Sequence, residues 1–173
     1  MQRKTKLRGR LWVLRHESEL FSDIDTDMIY HNAHLAVTEI DRMGQYALGN
    51  LEGYEDFAAE ARSGDLVLAG DNFGSGSSRQ HAVDCFKALG VQAVVARSFG
   101  AIYKRNAINS GFPVVEIPDL PNGGLKHLDD ASVDLEKGIL VQGEREFRGK
   151  PMSEVALEIY RAGGLFQYAS EAR

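Results

Sequence analysis

One cysteine, Cys85, is all the thiol chemistry the chain contains. That excludes an internal disulfide, and it excludes a cysteine-held metal cluster within this chain, which takes three or four thiolates. No apolar run approaches the roughly 20 residues that span a bilayer, and Met1-Gln2-Arg3-Lys4-Thr5-Lys6 is charged with no apolar signal segment behind it. A soluble, cytoplasmic protein with no membrane partner is expected. Basic charge is short as well: 20 Lys and Arg face 25 Asp and Glu, a formal charge of -5. A nucleic-acid surface needs a basic stripe to neutralise phosphates, and the one basic cluster, Arg3 to Arg10, reads as a solvated leader over residues 1–8.

What is present suffices for one core. At 173 residues and 43% hydrophobic, the chain fits a single domain, placed at 9–166 with a short tail at 167–173, and leaves no room for a second. Gly9 to Leu14 reads as a strand. Asp23-Ile24-Asp25-Thr26-Asp27 then sets carboxylates at alternate positions, which share one face if extended and crowd one another in a loop. Either way a cation or hydrogen-bond donors must stand near. Asn32 to Asn50 is weakly helical and interrupted by Gly44 and Gly49, and Tyr54 to Arg62 predicts a short helix.

From Asp65 the pattern becomes β-α-β-α-β. Asp65 to Gly70 is a buried strand entering a glycine- and serine-rich loop. The loop feeds a helix with Ala82, Val83, Phe86 and Leu89 on one face and Gly90 as its stop. Val91 to Ala96, Phe99 to Ser110 and Phe112 to Ile117 follow as strand, helix and strand. This α/β order predicts a largely parallel sheet with right-handed crossovers, whose strand carboxyl ends gather loops at one ligand-binding edge. Pro118 to Gly124 reads as a flexible connection, Ser132 to Phe147 as additional antiparallel strands beside the sheet, and Met152 to Ala162 as a closing helix.

Gly74-Ser75-Gly76-Ser77-Ser78-Arg79-Gln80-His81 is the most informative stretch. Its glycines let the backbone turn N–H groups into a cup, and Ser77 with Gln80 fits the capping box that opens a helix. An anion site is expected there, where amides, helix N-terminus and the Arg79 guanidinium converge on one carboxylate. A phosphate-binding loop would need Gly-Lys-Ser/Thr, which is absent. A dinucleotide fingerprint would need a third glycine where Arg79 stands, and an acidic residue after Ala96. A plain helix cap, with Arg79 paired to a nearby carboxylate, is the remaining structural reading.

The string from Ala69 through Asn72-Phe73-Gly74-Ser75-Gly76-Ser77-Ser78-Arg79-Gln80-His81-Ala82 resembles the swivelling domain of the aconitase superfamily. The likeness continues through Ala96-Arg97-Ser98-Phe99 and Asn106-Ala107-Ile108-Asn109-Ser110-Gly111. Asp25-Thr26-Asp27-Met28-Ile29 resembles the early motif of isopropylmalate isomerase small subunits. The resemblance covers most of the chain from Gly9 to Phe166. It implies a β/β/α swivelling domain that closes over a larger subunit, with a 4Fe-4S cluster in that partner, no cofactor in this chain, and a small hydroxy-acid substrate between them. The implied reaction is dehydration and rehydration, with Ser77 as an alkoxide base, Arg79 binding a substrate carboxylate beside Ser78 and Gly76, and Asp27 orienting the proton-transfer network. A turn-capping role for Asp27 stands equally open.

Leu35-Ala36-Val37 occupies the place of the family's specificity loop, with His34 where the family commonly has tyrosine and no arginine at 36 or 37. Such an apolar patch suits an isopropyl group better than an extra carboxylate, which would lack a partner. Ordinary core is the structural alternative, and Arg42 lies near in sequence. Homoaconitate, dimethylmalate and citraconate relatives, or a non-catalytic anion-binding module, are the other functions this pattern admits. His81 reads as a structural histidine, Asn106 and Asn109 as loop ties, and Cys85 as a core filler.

Overall fold

In Lys6-Leu7-Arg8-Gly9-Arg10-Leu11 successive side chains take opposite faces, so Leu7 and Leu11 turn inward while the charged residues line the outside. In a computed structural model of the chain, which describes residues 2–173, this stretch is strand β1, Lys6–Val13. The strand starts three residues ahead of Gly9, so Lys6, Leu7 and Arg8 of the expected leader belong to the sheet. A small hairpin follows, β2 (Arg15–His16) and β3 (Glu19–Leu20).

The remaining strands are β4 (Leu66–Ala69), β5 (Ala93–Ala96), β6 (Val114–Glu116), β7 (Asp130–Asp134), β8 (Ile139–Gln142) and β9 (Arg145–Arg148). With β1 they form one seven-stranded sheet ordered β6-β5-β4-β1-β7-β8-β9. β1 is its seam: Leu11, Trp12 and Val13 pair in parallel with Leu66, Val67 and Leu68, while Lys6 to Arg10 pair antiparallel with Asp134 to Asp130. The β4-β5-β6 half is parallel, as the β-α-β-α-β order requires. The antiparallel strands expected beside the sheet instead continue it.

The helices are α1 (Thr26–Ile29), α2 (Ile40–Met43), α3 (Phe57–Glu60), α4 (His81–Leu89), α5 (Ala101–Asn109), α6 (Glu154–Ala162) and α7 (Leu165–Glu171). Alternation along the parallel strands sorts the core into two layers. Val67, Ala69, Val94 and Ala96 meet Val83 and Phe86 of α4 and Tyr103 and Ala107 of α5. Leu66, Leu68, Val95 and Val115 meet Leu157 and Tyr160 of α6 on the other face. All four residues of β4 are buried, which is why the strand reads as an unbroken apolar run.

Departures from expectation have local causes. The helix expected over Tyr54 to Arg62 is the single turn of α3, and Asn32 to Asn50 yields two 3-10 turns around α2. Residues expected as a tail form α7, which follows the left-handed Gly163 at φ 100°. Pro118 to Gly124 is pinned rather than loose. Leu120 is buried, and the Asn122 side-chain oxygen accepts from Leu20 N at 3.1 Å and from Arg97 Nη2 at 2.8 Å. No helix among the described residues is long and apolar enough to cross a membrane.

Candidate active site

The carboxyl ends of β4 and β5 open onto one edge, where the loop after Ala69 crosses the loop after Ala96. Phe73 N donates to Ser98 O at 3.0 Å and Gly100 N to Phe73 O at 2.9 Å. The aspartate segment ahead of α1 closes against the same loop: Gly74 N donates to Ile24 O at 2.7 Å, Thr26 N to Ser75 O at 2.9 Å, and Thr26 Oγ1 to Ser77 O at 2.9 Å. Gly74 permits this approach, since its φ is +79° and a Cβ there would stand 2.2 Å from Tyr103 Cγ.

Each carboxylate of the alternating segment finds a separate donor, which removes the expected crowding. Asp23 accepts from Asn72 Nδ2 at 3.0 Å, both residues holding left-handed backbones that Asp and Asn tolerate. Asp25 caps α1 by accepting from Met28 N at 2.8 Å. Asp27 accepts from Arg79 Nη1 at 2.9 Å, from Asn32 N at 2.9 Å and from Asn50 Nδ2 at 3.2 Å. Turn capping, one of the two roles the sequence left open for Asp27, is present, and the same carboxylate pairs with Arg79. The Arg79 hydrogen bond, then the Asn32 N–H, hold the Asp27 carboxyl below its ordinary value, so it is an anion at neutral pH.

Arg79 Nη1 also donates to Tyr30 O at 2.6 Å. Its Nε and Nη2 donate to nothing among the described residues, leaving one edge of the guanidinium fork for a ligand. Ser77, Ser78 and Gly76 are exposed beside it. Asn106 of α5 donates to Ser78 Oγ at 3.1 Å. None of the backbone N–H groups from Gly76 to Gln80 donates within the described residues, and Gly76 turns the chain there at φ +90°. Free amides, two exposed hydroxyls and a partly exposed cationic edge thus lie along one turn.

One expectation about this loop fails. The Ser77 and Gln80 capping box is not formed: α4 begins at His81, its N-cap is Gln80 without a side-chain cap, and Gln80 Nε2 turns to Asp84 Oδ1 at 3.2 Å. Ser77 lies four residues ahead of the helix, beyond the turn over which a helix terminus acts. Its surroundings are set by the loop amides and Arg79 instead.

The segment expected to set specificity is core only at Val37, which packs against the buried cluster. Leu35 is 39% exposed and Ala36 is exposed, with Val37 half-buried. Arg42 lies on the surface and pairs with Glu39 of its own turn at 3.6 Å, and His34 stacks on Tyr46 at 3.8 Å. Asn109 is in α5 without a side-chain bond to the loop among the described residues. Asn50, whose amide ties Asp27, carried no signal in the sequence; it stands in an irregular stretch with no motif around it. Cys85 is sealed in the core, where burial pushes its thiol far up, and no group of three His, Cys, Asp or Glu able to hold a metal stands among the described residues. The donor set of this chain does not fit an iron–sulfur cluster.

Sheet and loop together define the carboxy-terminal domain class of the aconitases, and the family model described as the Aconitase C-terminal domain matches residues 15–120. Over 168 residues the chain is 38% identical to the 3-isopropylmalate dehydratase small subunit of Aquifex aeolicus, covering 96% of this chain and 95% of the relative. It is 38% identical to 3-isopropylmalate dehydratase small subunit 1 of Archaeoglobus fulgidus, with 95% and 98% covered. A crystal structure of 3-isopropylmalate dehydratase from Methanocaldococcus jannaschii superposes with a TM-score of 0.82 at 30% identity over 96% of this chain and 95% of that one. The chain belongs to this family, on its 3-isopropylmalate dehydratase small-subunit branch.

Proposed function

We propose that the chain is the small subunit of a cytoplasmic hydro-lyase that interconverts 2-isopropylmalate and 3-isopropylmalate by dehydration and rehydration, completed by a large subunit. The observation that carries this reading is the open Ser77-Ser78-Arg79 turn, with its free amides and a guanidinium held by Asp27 and the Tyr30 carbonyl. The free edge of Arg79 takes a substrate carboxylate, with Ser78 and the Gly76 amide beside it. Ser77 Oγ, deprotonated, removes the proton alpha to that carboxylate and returns it on rehydration. A serine hydroxyl is a poor base unless its alkoxide is stabilised, and loop amides with an adjacent cation supply that stabilisation.

Asp27 acts through Arg79, fixing the fork so that its free edge faces the opening. Leu35, Ala36 and Val37 present the apolar surface suited to the isopropyl group, since no cation stands among them to pair an extra carboxylate. Departure of the hydroxyl calls for a Lewis acid. With one buried thiol this chain does not supply it, and the iron–sulfur cluster is assigned to the large partner.

The test is reconstitution. The chain alone shows no turnover; mixed with a cluster-loaded large subunit it isomerises isopropylmalate. Ser77→Ala leaves assembly intact and lowers kcat by about a thousandfold or more, the scale for losing a reacting base or nucleophile. An unchanged rate in that variant would reject the base assignment and favour an anion-binding module.

A further inference from the structure

The segment from His31 to Glu39 carries the apolar patch; Val37 packs on the core and His34 stacks on Tyr46, but few hydrogen bonds tie its backbone to the rest of the fold. Its only regular structure is the 3-10 turn Asn32–His34. Most of its hydrogen bonds are local: Leu35 N to Asn32 O, Val37 N to His34 O, Tyr30 Oη to His34 O, and Asn32 N to the Asp27 side chain. One bond among the described residues reaches it from far along the sequence, between His81 Nε2 and Val37 O at 2.9 Å. A carbonyl only accepts, so Nε2 carries the hydrogen and the imidazole is the donor. The His81 ring is braced by the fully buried Tyr30, 5.0 Å away between centroids and tilted by 38°.

His81 is also two residues from Arg79. The same turn therefore grips the chain twice, Arg79 at Tyr30 O and Asp27, His81 at Val37 O. We propose that His81 is a specificity-determining positioning residue: it latches the Leu35-Ala36-Val37 strip at a fixed distance from the carboxylate-binding arginine. A substrate whose carboxylate sits on Arg79 then meets the apolar strip where a branched aliphatic group ends. His81 does not touch the reacting atoms. Loss of the latch loosens the strip, weakening recognition of the branch and leaving the proton transfer in place.

The substrate named here rests on the proposed isomerase reading, but the latch is measurable without it. In hydrogen–deuterium exchange of the isolated chain, His81→Ala speeds exchange in residues 31–39 by about tenfold or more, while α4 and the sheet keep their protection. His81→Gln retains an N–H donor of similar reach and restores slow exchange. In the reconstituted pair, His81→Ala raises KM for 2-isopropylmalate by about tenfold with kcat within about threefold, and its preference over citraconate-type substrates, which carry a methyl in place of the isopropyl group, falls by about tenfold, the scale for losing fit to a small apolar group. His81→Gln restores both. Unchanged exchange over 31–39 in His81→Ala overturns the latch, as does a fall in kcat with KM unmoved. If the pair shows no isomerase activity with any variant or wild type, the functional reading fails and the exchange result still decides the latch.

Discussion

Asp27 spends its charge on Arg79, and that fixes what it can do in a reaction. A carboxyl held below its ordinary value by a guanidinium and a backbone N–H stays ionised throughout any range in which an enzyme of this kind is assayed. It is therefore expected to be neither a proton donor nor the source of an acid limb in a rate profile. Asp27→Asn keeps an acceptor for Asn32 N and weakens the hold on Arg79. The side chain is 40% exposed, so the pair is worth about 1 kcal/mol, less than a buried one. The expected outcome in the reconstituted pair is a KM about fivefold higher, with the pH dependence of kcat superimposable on wild type. A shifted acid limb would show that Asp27 itself titrates in the reaction.

Among the elements, β1 carries most because both half-sheets share it. Its carboxyl half is fastened by Asp65, just before β4, which is 2% exposed. The Asp65 carboxylate takes Arg10 Nη2 at 2.7 Å, Trp12 Nε1 at 2.9 Å and Arg62 N at 2.8 Å. Burial alone would raise its pKa, but Arg10, the Arg62 N–H and Trp12 outweigh that and lower it. A carboxyl depressed in the fold contributes stability that is complete above its unfolded value, about 3.9, and is lost as pH falls through the folded value. Asp65→Ala leaves Arg10 and Trp12 without their acceptor and costs about 3 kcal/mol at neutral pH, the low end for breaking a buried pair because Arg10 remains partly exposed. Urea midpoints measured against pH check it: the gap between wild type and variant narrows in acid below the ordinary carboxylate range. A constant gap would mean the loss comes from packing alone.

The strands differ in how plainly their sequences show them. Val67 to Ala69 and Val94 to Ala96 are apolar on both faces, so burial and parallel pairing were evident. The Ser-Ser-Arg turn was evident too, because glycines at 74 and 76 announce a chain that must bend. Lys6 to Arg8 look like a solvated leader because a strand with one solvated face shows its charges first, and Leu7 alone marks the inner side. The capping box failed for a related reason. Ser77 has the right spacing from Gln80, yet Thr26 claims the Ser77 carbonyl from a segment 51 residues away. Local spacing carries no record of such a partner, nor of Asn50 reaching Asp27.

At the scale of the whole molecule, the two core layers lie on opposite faces of the same strands, with Val67 and Ala69 in one and Leu66 and Leu68 in the other. Neither layer can open without stripping the other of its backing, which predicts one cooperative unfolding transition. Cys85 is the reporter for it. The thiol is fully buried on α4, with Sγ 3.7 Å from Ala82 O, and burial pushes its ionisation far above the ordinary value. The thiolate is the reactive form, so alkylation requires the core to open. In native buffer the isolated chain therefore reacts with iodoacetamide at least about a hundredfold more slowly than free cysteine, and the rate rises with urea in step with the loss of near-ultraviolet circular dichroism. A chain exposed to the reagent in native buffer still reconstitutes fully with its partner, because the only thiol it owns stays sealed. Alkylation at the free-thiol rate, or ahead of the optical transition, would mean that α4 opens on its own, and the turn it supports at Ser77 to Arg79 would then be a mobile platform rather than a fixed one.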